Sequence, residues 1–360
     1  MLRIFAAGAP AGKLPVAADA PSRAGTCMPS VFITGISGYV GSALAQHYVE
    51  AGARVSGLVR RSSDPGTLAW LTDLGVRLHR GDVEQRDGLE RAFDGTDLLL
   101  HSAAVIGYRR RLWGAMQRVN VIGTRNVLDA ARVVGLGRVV HISSIAAVGF
   151  SDRPVLLDED AHFDPSVLDA AYFDTKVGAE LEVGRAVDSG LDVTIVNPGA
   201  IYGPSTLSSN SSKVIAGILR RRMPLVPVGG INAVPLTTVV QGVVAAATRG
   251  RTGRRYILGG ENLTFAELVT RVGHAAGRVL TGREFPSWLR VPLSCAMELV
   301  EPLVPDSVWF TPDMCASLGR WMWFDSTRAH SELGLLPGDL DACLADTVRQ
   351  LRAQGRLPSS

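Results

Sequence analysis

Residues 31–50 restrict this chain to few folds. Val31, Phe32 and Ile33 form an apolar run that ends at Thr34, passes into Gly35-Ile36-Ser37-Gly38-Tyr39-Val40-Gly41, and continues at helical spacing from Tyr39 to about Glu50. Strand, glycine turn and helix in that order make a glycine pattern meaningful, where the glycines alone would mark an ordinary turn. Gly35 permits the tight turn, Gly38 lets the backbone approach a pyrophosphate, and Gly41 allows close helix packing. Ser37, Tyr39 and Val40 complete the loop, whose free N–H groups at the helix start would receive phosphate charge.

The pattern then repeats. Apolar runs at 55–59, 76–80, 98–101, 139–142 and 193–196 read as strands, and helical spacing falls at 86–93, 120–134 and 171–188. Strands alternating with helices and lacking period-two polarity predict an α/β fold, a doubly wound parallel sheet covered on both faces. Past Gly203 the alternation becomes irregular: 214–222 and 264–276 look helical, and 255–258 looks like a strand. Residues 285–324 carry Trp288, Trp309, Trp321 and Trp323 among Pro, Met and Leu, which fits a smaller mixed lobe over an apolar cavity.

The expected division is therefore a dinucleotide-binding and catalytic region at 29–203. A mixed region at 204–354 supplies the lobe and returns elements to the main domain, and 355–360 is a flexible tail. Residues 1–28, rich in Ala, Gly and Pro, are expected to be a disordered extension or the product of a start assigned at Met1 instead of Met28.

Composition removes several classes. With 46% hydrophobic and 20% charged residues and a formal charge of +3, nothing suggests a nucleic-acid surface. Cys27, Cys295, Cys315 and Cys343 are too scattered for a metal knuckle or disulfide framework, so no metal is expected and a reducing, cytoplasmic setting is the simpler reading. The apolar stretch from Val239 to Thr248 is short of the roughly 20 residues that span a bilayer.

Further candidates fall at strand ends. After the second strand stands Arg60, with no acidic residue to hold a ribose hydroxyl, which favours NADP(H) over NAD(H) unless Arg60 and Arg61 merely face solvent. Asp82 and Val83 follow the third strand, where the Asp82 carboxylate can accept the adenine amino group or cap a helix. Ser102, Ala103 and Ala104 follow the fourth and leave room for a cofactor. Tyr172 and Lys176 are four apart and share a helix face, where the lysine cation favours the phenolate and fits tyrosine for acid and base work.

Together these motifs resemble the extended short-chain dehydrogenase/reductase superfamily, with its NAD-dependent epimerase/dehydratase-like members and Rossmann-type sheet. The glycine loop, Asn120-Val121-Ile122-Gly123-Thr124-Arg125-Asn126, Ser143-Ser144, Tyr172 to Lys176 and Asn197-Pro198-Gly199 occur in family order, and the resemblance runs from about Val31 to Gln354. It implies Tyr172 as acid/base, Lys176 holding the nicotinamide ribose, and Ser144 bonding the substrate oxygen, with Ser143 the adjacent alternative. Asn120 supports the lysine and a water relay, and Pro198 lies beside the nicotinamide. Arg60, Ser144-Ile145 and Ser331-Glu332-Leu333-Gly334 look most like the dihydroflavonol-reductase and 3-beta-hydroxysteroid-dehydrogenase branch. One departure is Thr238, where the family often has an acidic residue; a helix cap is its expected role.

The expected activity is NADP(H)-dependent interconversion of a carbonyl and a secondary alcohol on a small apolar, steroid-, flavonoid- or terpenoid-like substrate. Phe285, Trp288, Leu289, Val291, Leu293, Met297 and Leu303 are its expected surroundings unless they are plain core packing. Two alternatives stand: an NAD-retaining sugar-nucleotide epimerase/dehydratase, and an inactive NADP-sensing or interaction protein. A homodimer is left open. His162 and Asp164, just before Tyr172, are equally well explained by loop solvation.

Overall fold

Seven short strands carry the molecule: β1 (Ser30–Thr34), β2 (Arg54–Val59), β3 (Arg77–Arg80), β4 (Leu98–His101), β5 (Arg138–Ile142), β6 (Val193–Pro198) and a late arrival, Arg255–Leu258. The computed structural model describes residues 29–358 except 108, 165–169, 206, 208, 221–224, 287, 289–291, 293–295 and 297–318. Residues 1–28, and with them Cys27, lie outside the described residues. So do Leu289, Val291, Leu293, Cys295, Met297, Leu303, Trp309 and Cys315.

Three strands of the smaller lobe precede the late one: β7 (Ala200–Tyr202), β8 (Leu225–Pro227) and β9 (Gly230–Pro235). Arg255–Leu258 is therefore β10, and the large sheet has the order β10-β6-β5-β4-β1-β2-β3 with every pair parallel. The chain winds outward from β1 in both directions, the doubly wound arrangement of a Rossmann-type sheet. β6 is buried along its whole length, as a strand covered on both faces must be.

Helices cover the two faces. On one lie α1 (Tyr39–Glu50) and α2 (Pro65–Asp73), packing Leu44, Tyr48 and Leu71 against β1 and β2. On the other lie α3 (Leu89–Phe93), a short α4 (Trp113–Met116), a π-helical turn over Gln117–Ile122, α5 (Gly123–Val133) and α6 (Ala171–Asp188). Phe93, Val127, Leu128 and Val183 meet Phe32 and Leu99 there. Each such side chain taken fully from water contributes about 1.5–3 kcal/mol.

After α7 (Asn210–Arg220), α8 (Leu236–Arg249) returns to the first face and packs Val239, Val240 and Val243 into its core. This is the apolar stretch noted in the sequence, and no helix among the described residues is long and apolar enough to cross a membrane. Thr238 does not cap α8 as expected. The cap position is Pro235, with no side-chain cap bond, and Thr238 is buried inside the first turn.

β11 (Glu261–Thr264), α9 (Phe265–Ala275), β12 (Arg283–Phe285), β13 (Trp321–Met322), α10 (Thr327–Leu333) and α11 (Leu340–Ala353) follow among the described residues. β11, β9, β13 and β7 form a mixed four-stranded sheet, and β12 pairs with β8. Helices α7, α9 and α11 bury Ile215, Leu268, Val272, Leu344 and Val348 in the smaller lobe's own core.

Candidate active site

The strand order reverses between β4 and β1, and the crevice at their carboxyl ends holds the glycine turn. Gly35 has φ of 69°, and a Cβ there would lie 2.7 Å from Ala103 Cα, so the turn and the segment after β4 touch backbone to backbone. A Cβ on Gly41 would run into the Gly35 carbonyl. Helix α1 starts at Gly38 in extended conformation with no side-chain cap and no acidic residue in its first turn. Its first N–H groups thus face the crevice as an electropositive helix end. These residues fit a dinucleotide: a side-chain-free cradle, a helix end for the pyrophosphate, and the small residues 102–104 opposite.

The neighbouring loops are fixed by side chains whose structural bonds the sequence does not show. Tyr39 Oη donates to the Gly203 carbonyl at 2.9 Å, tying the start of α1 to the chain beyond β7. Asp82 Oδ1 accepts from the Glu84 N–H at 3.1 Å, so its carboxylate closes a local turn and caps no helix. Val83 is buried against α5, and Asn126 Nδ2 donates to the Val83 and Glu84 carbonyls at 2.9 and 3.1 Å.

His101 is buried at the end of β4. Its Nδ1 lies 2.7 Å from Thr34 Oγ1 and its Nε2 2.9 Å from Thr124 Oγ1. Because the Thr124 hydroxyl is already donating to the Asn120 carbonyl at 2.6 Å, Nε2 carries the proton and Nδ1 accepts from Thr34. Burial first, and then the charge of Lys176, push His101 down to about 3. His141 lies beside it, ring centroids 5.2 Å apart, and burial holds it well below the usual histidine range too.

Asn120 sits in the π-helical turn and is nearly inaccessible. Its Oδ1 accepts from the Val105 N–H at 2.8 Å, and its Nδ2 donates to the Val105 carbonyl at 3.0 Å and to Thr175 Oγ1 at 3.1 Å. The side chain therefore pins the loop after β4 to α6, between Tyr172 and Lys176. A π-turn at such a position is a frequent mark of a functional site.

Helix α6 spans Ala171–Asp188, the range read from its spacing, and presents Tyr172, Lys176 and Glu180 on one buried face. Tyr172 packs with Met116, Ala146 and Phe173. Lys176 Nζ donates to the Ile142 carbonyl at 3.4 Å, and burial lowers it to about 8 from 10.5, opposed by the nearby Glu180 carboxylate. Of the two serines after β5, Ser143 is buried and donates to Glu180 Oε1, whereas Ser144 is half-buried. Ser144 Oγ accepts from the Ala146 N–H at 3.1 Å, which leaves its O–H free to donate elsewhere. Asn197 Nδ2 donates to the Ser144 carbonyl at 3.0 Å, and Pro198 follows it at the end of β6.

The remaining candidates are exposed. His162 and Asp164 are exposed, and Trp288 is 70% exposed. Arg60 is exposed; its N–H donates to Ser63 Oγ at 3.1 Å and its carbonyl accepts from Arg80 Nη1 at 3.1 Å.

A parallel sheet with a glycine turn at its switch point, joined to a Tyr-Lys helix and a serine turn, is the site of an NAD(P)-dependent oxidoreductase acting on CH–OH or carbonyl groups. Residues 31–259 match the NAD dependent epimerase/dehydratase family, and the chain belongs to that family within the extended short-chain dehydrogenase/reductases. A Synechocystis sp. protein named for dihydroflavonol 4-reductase is 32% identical over 90% of this chain and 95% of its own. Among solved structures, UDP-glucuronic acid 4-epimerase of Bacillus cereus, in complex with UDP-glucuronic acid and NAD, has a TM-score of 0.71 at 18% identity. It is matched over 90% of this chain and 99% of its own. DesIV of Streptomyces venezuelae, a dTDP-glucose 4,6-dehydratase with NAD and TYD bound, has a TM-score of 0.70 at 22% identity, over 91% of this chain and 99% of its own.

Two expectations are corrected by these relatives. The preference for NADP(H), argued from Arg60, does not hold: both structures carry NAD. The physical reason is that an exposed arginine held only through its main chain is no built phosphate pocket, so its presence carried too much weight. The small apolar substrate does not hold either: of the two solved structures, one holds UDP-glucuronic acid and the other is a dTDP-glucose dehydratase. The aromatic and aliphatic residues taken for its surroundings largely lie outside the described residues.

Proposed function

We propose that this protein is an NAD(H)-dependent epimerase or dehydratase that acts at a CH–OH group of a nucleotide-linked sugar. The observation that carries the reading is the shared buried face of Tyr172 and Lys176 against the serine turn after β5, at the same carboxyl edge of the parallel sheet as the glycine turn after β1. Nucleotide-sugar relatives that match nearly the full length support the substrate class.

In this reading NAD supplies the hydride acceptor and donor. Tyr172 takes the hydroxyl proton as the alcohol is oxidised and returns it when the carbonyl is reduced. Ser144, its oxygen occupied by the Ala146 N–H, donates its O–H to the substrate oxygen, where charge grows in the transition state. Lys176 supplies a cation to the tyrosine and to the ribose of the cofactor, and Asn120 keeps the helix turn and the β4 loop in register. The first N–H groups of α1, with Ser37 and the residues 102–104, would hold the pyrophosphate, and Asp82, Val83 and Pro198 would serve the rest of the dinucleotide.

The test is incubation of the purified protein with NAD and a panel of UDP- and dTDP-linked sugars, with products separated by chromatography. Conversion without net NADH release is expected, and Tyr172→Phe is expected to lower it about 10²–10⁴-fold. Undiminished conversion by that variant would overturn the assignment of Tyr172.

A second reading, net reduction of a carbonyl by a member of the dihydroflavonol-reductase and hydroxysteroid-dehydrogenase branch, is favoured by the full-length match to the Synechocystis protein. It differs in stoichiometry. One NADH would be consumed per product formed, whereas the first reading returns the cofactor unchanged.

A further inference from the structure

The next turn of α6 carries a buried group that the chemistry above does not use. Glu180 is one turn beyond Lys176 and two beyond Tyr172, is 6% exposed, and receives donors from three separate parts of the chain. Ser143, directly after β5, donates its hydroxyl to Oε1. Asn197 in β6 donates Nδ2 to the same oxygen at 2.7 Å, and Arg255 at the start of β10 donates Nε to Oε2 at 2.6 Å. Asn197 also holds the Ser144 carbonyl, and Lys176 reaches the carbonyl of Ile142, the residue before Ser143. One carboxylate thus fastens both sides of the serine turn and faces the lysine that leans on its base.

We infer that Glu180 is a positioning residue for the Lys176–Ser144 pair: its carboxylate fixes the serine turn from below and supplies the countercharge for the Lys176 cation. This rests on the reading of Lys176 and Ser144 as site residues. Among the described residues, His101 on β4, His141 on β5 and Glu180 on α6 act on Lys176, with Tyr172 one turn before it on the same helix face and Arg255 on β10 bound to the far oxygen of Glu180. Both histidines are held neutral by burial. Glu180 is therefore the anion of the group, and a buried cation without it would lose its proton more readily.

The experiment uses an accident of composition. The chain has three lysines, Lys13, Lys176 and Lys213, so in protein labelled with ¹³C-lysine the Lys176 signal can be followed by itself, and its midpoint is expected at about 8. Loss of that signal in Lys176→Met assigns it. In Glu180→Gln the Lys176 midpoint is expected to fall by about one pH unit, because an opposite charge has been removed. In Arg255→Gln it is expected to rise, because a cation competing for the same carboxylate has gone.

A residue that merely filled space would move neither midpoint, and two unmoved midpoints in folded protein overturn the proposal. If Glu180→Gln fails to fold, the direction of the shift in Arg255→Gln decides alone: upward supports the role, unchanged or downward overturns it. Opposite shifts in a protein that converts no nucleotide-linked sugar would fault the functional reading and leave the role of Glu180 standing.

Discussion

Burial sets the charge state of His101 before any ligand arrives. With the pKa near 3 in the folded chain and 6.5 in an exposed one, the unfolded state binds the extra proton between those values. The stability from this residue is therefore complete above pH 6.5 and lost progressively as pH falls toward 3. The bond that Nδ1 accepts from Thr34 requires the neutral ring, whereas the one that Nε2 donates to Thr124 does not, so the acid form gives up the first. Urea midpoints measured at steps from pH 7.5 to 4 should fall in the natural protein. In His101→Asn they should start lower and fall less steeply, and equal slopes would contradict the argument. Nothing in the sequence announced this residue beyond its place at a strand end, because a histidine in an apolar run reads the same whether its ring is satisfied or not.

At the scale of elements, legibility followed locality. Helix α6 ran from Ala171 to Asp188 as its spacing predicted, because that signal is carried by its own residues. The helix expected at 86–93 begins only at Leu89, since Gly88 at φ of 91° ends the preceding turn. Helix α2 went unread although Asp64 caps it through the Thr67 N–H at 2.8 Å and Pro65 opens it, because it buries only Thr67, Leu68 and Leu71 and leaves Trp70 exposed. Strand pairs such as β9 with β13 join residues some 90 positions apart through as few as two partners, a register no local pattern encodes. For the site, Tyr172, Lys176 and Ser144 could be picked out in the sequence as candidates, while a support such as Glu180 could not, because support depends on what folding brings alongside. Helix α9 offers a local case that can be tested. Thr264 and Glu267 form a reciprocal capping box, and Thr264→Ala should cost about 1 kcal/mol in urea unfolding at pH 7. A loss below about 0.3 kcal/mol would mean that packing of Leu268, Val269 and Val272 alone holds the helix start.

For the whole molecule, the cradle at the switch point joins the two halves of the large sheet. Gly35 follows β1, Ala103 follows β4, and their backbones are in contact, so a dinucleotide seated there would engage the folded arrangement and not the unfolded chain. Binding of that kind raises stability by about 2.7 kcal/mol at a ligand concentration one hundred times Kd. The proposed cofactor preference turns this into a measurement that needs no substrate. Thermal midpoints recorded against rising NAD should climb with its concentration, and NADP at equal concentration should raise them less. Arg60→Ala should leave that order intact, since the bonds at Arg60 are made by its main chain. In Gly41→Val the added side chain would meet the Gly35 carbonyl and displace the start of α1, so the NAD-dependent rise should disappear even where the unliganded protein still melts cooperatively. A full NAD response in that variant would show that the glycine turn is not where the cofactor binds. An equal or larger response to NADP in the natural protein would instead put the preference for NAD at fault.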